Sequence, residues 1–362
     1  MAERVSTDRR RFLAGLAAMC SPVRARAAAY GTHTRLAAAW RAGHAYQVGV
    51  LEALDGLVIA SALDVPTRAH GQLREPGGTL LAVARRPGDW LLRWQPDGRP
   101  LAWRWIEPRR AFSGHVLASA DGRTLYTTET DLDTGAGLVG VRDAASLEKC
   151  AEWPTQGIDP HQLIRDARRP GCLIVANGGV PTRPETGRLK LDLERMDSSL
   201  VALDEGSGEV RRQWRLGDPR LSLRHLAWGR TARGPVLGIA LQAEHDAAVE
   251  RASAPVLALF DGVHVLAVPP ARPLSGYGGD IAFLDGMFAV GCPRAQGTAL
   301  FGAAGEGQDF IPLEESCSIA TTPGRIWAGG RHAALAASSG PDASRDLLSL
   351  PDIRLDNHWI VL

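Results

Sequence analysis

Cysteine is scarce in this chain, with five in 362 residues and none in a C-x-x-C pair, so neither a disulfide framework nor a Cys-based metal knuckle is available. An oxidising compartment would still allow one or two bridges among Cys150, Cys172, Cys292 and Cys317, whose pairing the spacing does not specify. Long apolar runs are missing as well. Beyond the N-terminus nothing approaches the ~18 uninterrupted residues of a membrane span, so no integral membrane segment is predicted. Charge of one sign is also lacking: 41 basic residues face 40 acidic ones, which leaves no footprint for nucleic acid or an anionic membrane. A G-x-S-x-G elbow, a Walker loop and an H-E-x-x-H helix are all absent, and no nucleotide cofactor is expected. Nor does any long amphipathic helical pattern occur.

The N-terminus departs from this balance. Arg9-Arg10-Arg11-Phe12-Leu13 has paired arginines, a variable residue and Phe-Leu, the pattern of a twin-arginine export signal. A short apolar run, Phe12 to Met19, follows, and then Arg24 and Arg26 among small residues. Residues 1–29 therefore read as a signal peptide cleaved after Ala27 or Ala29, with the periplasm as destination. That segment carries six arginines against Glu3 and Asp8, which leaves 35 basic and 38 acidic residues in the remainder.

From residue 30 onwards the chain repeats. An apolar strand, a Gly/Pro/Asp turn and a second apolar strand recur from His70, His115, His161, His225, Asp280 and Ser318, and each unit continues with two further strands. Turn signals such as Asp97-Gly98, Asp121-Gly122 and Asp285-Gly286 separate them. Four short strands at a spacing of ~40–50 residues form a propeller blade. The ends supply a seventh unit. Leu36–Trp40, Tyr46–Val50 and Leu57–Ala60 read as second, third and fourth strands, and Asn357–Leu362 as the missing first strand. The fold class is therefore all-β: a single seven-bladed β-propeller over residues 30–362, its ring closed by N-terminal strands and the C-terminal strand in one blade. The wide gap between 161 and 225 predicts a long loop insertion at about 177–196, with a smaller one near Gln242 to Ser253.

Five of the ten histidines (His70, His115, His161, His225 and His358) share one position in the first strand of neighbouring blades, and Asp280 and Ser318 take it in the other two. First strands line the central channel, so the imidazoles are expected to share one axial space. Neutral imidazole suits a transition metal, and a carboxylate such as Asp280 can complete a site. Two plainer uses of these residues stay open: hydrogen bonding inside the blade, as for Gly114-His115, or a polar lining of a wet channel. Arg224, beside His225, could hold an anion or pair with a carboxylate. Asn177 is expected at a loop end on the same face, as a further cofactor-binding candidate. Glu129, Asp131 and Asp133 read as a solvated acidic loop, and Trp90, Trp94, Trp103 and Trp105 as packing between blades.

Phe112-Ser113-Gly114-His115, Leu125-Tyr126-Thr127-Thr128-Glu129, Gly157-Ile158-Asp159-Pro160-His161-Gln162-Leu163, Ala176-Asn177-Gly178-Gly179 and Asp356-Asn357-His358-Trp359 together resemble the bacterial domain-of-unknown-function family 1513. The resemblance covers nearly the whole chain after the signal. It implies a periplasmic, twin-arginine-exported propeller of the YVTN/quinoprotein-like class. It also implies encoded neighbours that are imelysin-like iron-uptake proteins and a di-haem oxidoreductase-like protein, a context that favours iron or copper. Three functions remain open at this stage: an accessory to metal acquisition, a lactonase-like hydrolase or redox enzyme acting on a small molecule, and a scaffold for other proteins.

Overall fold

A computed structural model of the chain describes residues 33–54, 56–182, 192–338 and 344–362. The signal-peptide reading of residues 1–29 lies outside them. So does the middle of the predicted 177–196 insertion, whose described end carries a 3-10 turn at Leu193–Arg195. Residues 34–362 form seven antiparallel sheets, six of which run in simple sequence order from the first strand to the fourth.

Blades 1 to 6 begin with the inner strands Ala69–Arg74, Arg110–Ala118, Pro160–Arg165, Leu221–Thr231, Asp280–Leu284 and Ser318–Thr322. Each of these inner strands packs against the inner strand of the next blade, so the six start positions circle one axis. Blade 7 is closed as the repeat predicts. Thr34–Ala42 is its second strand, Ala45–Ala53 its third and Leu57–Val65 its fourth. The C-terminus supplies the inner strand in two pieces, Ile353–Leu355 and Ile360–Val361, both paired to Thr34–Ala42. Residues 356–359 bridge the two pieces, and His358 there adopts a left-handed φ of 63°.

Burial explains the strand composition. Second strands are covered on both faces by adjacent blades, which makes Leu80–Ala84 apolar throughout and Leu173–Ala176 apolar within Cys172–Asn177, whereas Thr124–Asp131 of blade 2 buries polar residues there. Outer strands alternate, as in Pro100–Trp105. The apolar clusters straddle neighbouring blades: Ile174, Leu200 and Ala202 of blade 3 meet Leu223, Ile239 and Phe260 of blade 4. Each such Leu, Ile or Phe contributes about 1.5–3 kcal/mol when fully buried. Trp90 and Trp94 are completely buried, in accord with a packing role. Trp103 and Trp105 are not: they lie on the outer strand of blade 1, 37% and 54% exposed, with their rings stacked on each other. The smaller insertion near Gln242 to Ser253 contains a short helix, Ala248–Ser253. The four cysteines of the propeller are free thiols, and no bridge forms among them.

Candidate metal centre

The inner strands carry their histidines on irregularities of the sheet. In blade 1 the pairing jumps from Ala69↔Ala84 to Gln72↔Ala82, so His70 and Gly71 together face one partner residue. The same one-residue excess falls on His161-Gln162 in blade 3 and on Arg224-His225 in blade 4. In blade 2 three residues, Ser113-Gly114-His115, stand where one would fit. A bulge of this kind turns the strand locally and re-aims a side chain out of the alternation. The inner strand of blade 5 is paired in continuous register from Asp280 and that of blade 6 from Ser318, and these are the two blades without histidine.

Turned inward, the five imidazoles meet on the axis. Ring centroids lie 4.8 Å apart for His70 and His115, 4.6 Å for His70 and His358, and 4.3 Å for His225 and His358. His161 sits 4.5 Å from His225. The close approach requires glycine. A Cβ on Gly114, whose φ is +108°, would lie 2.6 Å from the His70 ring, and one on Gly71 would run into the Gly114 carbonyl.

All five imidazoles are buried. Burial lowers the pKa of His70, His115, His161 and His225 well below the ordinary 6.5, and charge on neighbouring groups, His358 and His225 foremost, lowers it further. These four are therefore neutral imidazoles, the form that donates a lone pair to a metal. One nitrogen from each of His70, His115, His225 and His358 lies within 4.8 Å of all the others. Tetrahedral coordination at about 2.1 Å sets donor atoms about 3.4 Å apart.

The hydrogen-bond record fits a bound cation. Both nitrogens of His70, Nε2 of His115, Nδ1 of His225 and Nε2 of His358 are buried with no hydrogen-bond partner. A buried polar atom left unpaired is costly, and this many in one place is unusual for a structural cluster. The remaining atoms hold the ligand set in position, as outer partners do around metal-bound imidazoles. Asp280 Oδ2 lies 3.1 Å from His358 Nδ1 and also accepts the Ile319 N–H at 3.0 Å. His161 Nε2 and His225 Nε2 share a hydrogen bond of 2.9 Å. Asp280 thus orients His358, and His161 orients His225, while the other four histidines form the donor group. Cys317, next to Ser318, stays a neutral thiol, because burial and then the charges of Asp280 and Asp356 push its pKa far up.

Arg224 is 2% exposed and pairs with a carboxylate, one of its two expected uses. Its Nη1 lies 2.9 Å from Asp159 Oδ2 and 3.5 Å from His161 Nδ1, and Arg86 pairs with the other oxygen of Asp159. Burial lowers the pKa of Arg224. Arg86 and Asp159 carry no repeat signature of their own, although Asp159 stands two residues before His161 in the segment Gly157–Leu163. Asn177 ends the second strand of blade 3, where its amide donates to Thr155 O at 3.1 Å and Ser199 Oγ at 3.2 Å, tying strands together.

The acidic segment behaves differently from the solvated loop expected of it. Asp131 is half-buried and Asp133 exposed, but Glu129 is completely buried. Its oxygens lie 2.7 Å from Arg142 Nη2 and 2.6 Å from Lys149 Nζ, and Glu107, its pKa lowered to about 2, completes the network. Its charge is engaged by third- and fourth-strand cations, away from the axis.

No curated protein matches the chain. Among solved structures, hydrazine synthase of Kuenenia stuttgartiensis superposes with a TM-score of 0.58 at 13% identity, covering 84% of this chain and 90% of that one. Saccharomyces cerevisiae Sqt1 gives 0.48 at 11% identity, over 88% and 81%. At such identities the likeness is one of fold alone. Residues 63–362, which hold every histidine of the cluster, match the family described as protein of unknown function (DUF1513), and to that family the chain belongs.

Proposed function

We propose that this protein is an exported, metal-holding propeller that binds one first-row transition metal, copper or iron, on His70, His115, His225 and His358. The observation that carries this reading is the convergence of four buried imidazoles from four blades with unpaired nitrogens. An all-imidazole donor set suits both metals, and copper(II) stands highest in the affinity order of divalent ions. With Asp280 and His161 holding two of the ligands from outside, the residues are arranged for binding and retention. The twin-arginine segment supports delivery to the periplasm after folding. The association with imelysin-like and di-haem oxidoreductase-like proteins supports a role in iron acquisition, with those proteins as partners.

The test is elemental analysis of the full chain purified from the periplasm and of the same protein reconstituted with Cu(II) or Fe(II). One equivalent of metal is expected, with at least a tenfold loss of affinity in His70→Ala and His115→Ala and a smaller loss in His161→Ala. Wild-type protein that retains neither metal under both conditions would exclude the reading. Export is tested separately. Arg9→Lys together with Arg10→Lys should leave the chain uncleaved in the cytoplasm, and unchanged export would remove the twin-arginine route.

A further inference from the structure

Next to the imidazoles lies a small cavity, with about 20 Å³ open to the centre of a water-sized sphere. That is room for one or two waters or an anion of a few atoms. Its wall is one-sided. Three guanidinium residues (Arg85, Arg86 and Arg224) and three imidazoles (His70, His161 and His225) line it, together with Gln242, Tyr277 and Asn357, and no carboxylate does. The nearby acids act from outside the wall: Asp159 is held between Arg86 and Arg224, and Glu244 accepts the Gln242 amide at 2.6 Å.

Arg224 decides what such a cavity takes. Asp159 engages only its Nη1, whereas Nε and Nη2 are buried without a hydrogen-bond partner. A guanidinium has five N–H donors and no acceptor, so its vacant positions can be satisfied only by an acceptor. Around the cavity the unpaired imidazole nitrogens of His70 and His225 offer lone pairs to a cation or N–H groups to an anion, depending on tautomer. The chain's own carboxylate, Asp159, answers Arg224 only at Nη1, and no carboxylate lines the cavity. An acceptor from outside is what the geometry leaves room for.

We infer that this cavity is an anion site, in which Arg224 holds a small monoanion of one to four heavy atoms, such as a halide, nitrite, formate or azide, against the imidazole cluster. Its position beside the donor nitrogens makes the anion the exogenous partner of the bound metal, a role that rests on the metal reading above. The pocket's occupancy by an anion does not.

The experiment uses the full-length metal-free protein, with azide and formate as probes and sulfate, a larger dianion of five heavy atoms, as the control at constant ionic strength. Azide and formate should raise the melting temperature along a saturable curve that sulfate does not reproduce. Arg224→Gln should weaken the apparent azide affinity at least tenfold, and Arg224→Lys, which keeps the charge beside Asp159, by less. Protein loaded with Cu(II) should gain an azide-to-copper charge-transfer absorption on the same titration. If wild-type apoprotein shows no saturable response to either small anion, the anion site is overturned even where one equivalent of copper binds. If small anions stabilise the apoprotein but no copper is retained, the anion site stands and the metal reading falls. Should Arg224→Gln fail to fold, Arg224→Lys and the wild-type size discrimination decide the matter, and equal responses to azide and sulfate overturn it.

Discussion

Gly114 lies against the His70 ring and precedes His115, and so sets the distance between the two imidazoles. Its φ of +108° disfavours any side chain, and an added Cβ would press on the His70 ring. Gly114→Ala is expected to cost about 1–3 kcal/mol of stability and to weaken metal binding at least as much as losing an outer partner does. Denaturant unfolding and metal titration of the same variant check both. Protonation offers a second test. The folded-state pKa values of His70, His115, His161 and His225 lie below the unfolded 6.5, so the unfolded chain binds protons first as the pH drops. The stability contributed by keeping these imidazoles neutral is present above 6.5 and is lost as pH falls through the folded values. The melting temperature of metal-free protein should fall steadily below pH 6.5. A His70→Phe, His115→Phe double variant should show a shallower fall, measured by calorimetry across pH 5–8 (about the His titration range). The repeated position of these residues is legible in the sequence, because one residue type at one place in successive units stands out against a varied background. Arg86 and Asp159 are not legible, since each lies in a single loop and acquires its partner only through the ring.

Among the elements, the bulged inner strands carry the site. Strand alternation alone would assign each residue a face by parity, and a one-residue excess reverses the parity beyond it. Apolar patterning locates the strands, but it contains no mark of where the extra residue falls. The bulges at His70, His115, His161 and His225 therefore emerge only in the pairing registers. Blade 2 shows the same limit for charge. Glu129, read from its neighbours Asp131 and Asp133 as solvated, ends on the covered face of a second strand because Arg142 and Lys149 arrive from the third and fourth strands. Removing its carboxylate takes away the fully buried partner of Arg142 and leaves the half-buried Glu107 as its remaining carboxylate. Glu129→Ala should destabilise the protein by about 3–5 kcal/mol, while an apolar replacement of Glu129 and Arg142 together should recover much of that loss. A double-mutant cycle by urea unfolding measures the difference.

The whole ring depends on a strand made last. The pieces Ile353–Leu355 and Ile360–Val361 close blade 7 onto Thr34–Ala42, and between them His358 completes the donor set. Truncation after Leu350 should therefore expose the edge of Thr34–Ala42, remove one ligand and abolish the single cooperative melt, as circular dichroism would record. His358→Ala, which keeps the strand, should lose metal affinity while retaining the melt. The dependence of closure on residues 34–42 and 353–361 together accords with the proposed export of an already folded protein, since the ring cannot form until both segments have been synthesised.

Sequence alone determined the all-β class, the seven repeats, the closing blade and the five-histidine position. Each of these rests on periodicity or local turn chemistry, which adjacent residues express without reference to the rest of the chain. The tertiary structure decided which four imidazoles offer converging nitrogens, that His161 and Asp280 support them from behind, that Glu129 is buried, and that Arg224, beside a cavity, keeps two nitrogens without a hydrogen-bond partner. Those are properties of distance between blades. Bulge position, ring closure and the packing of side chains across the axis set them, and no single repeat contains that information.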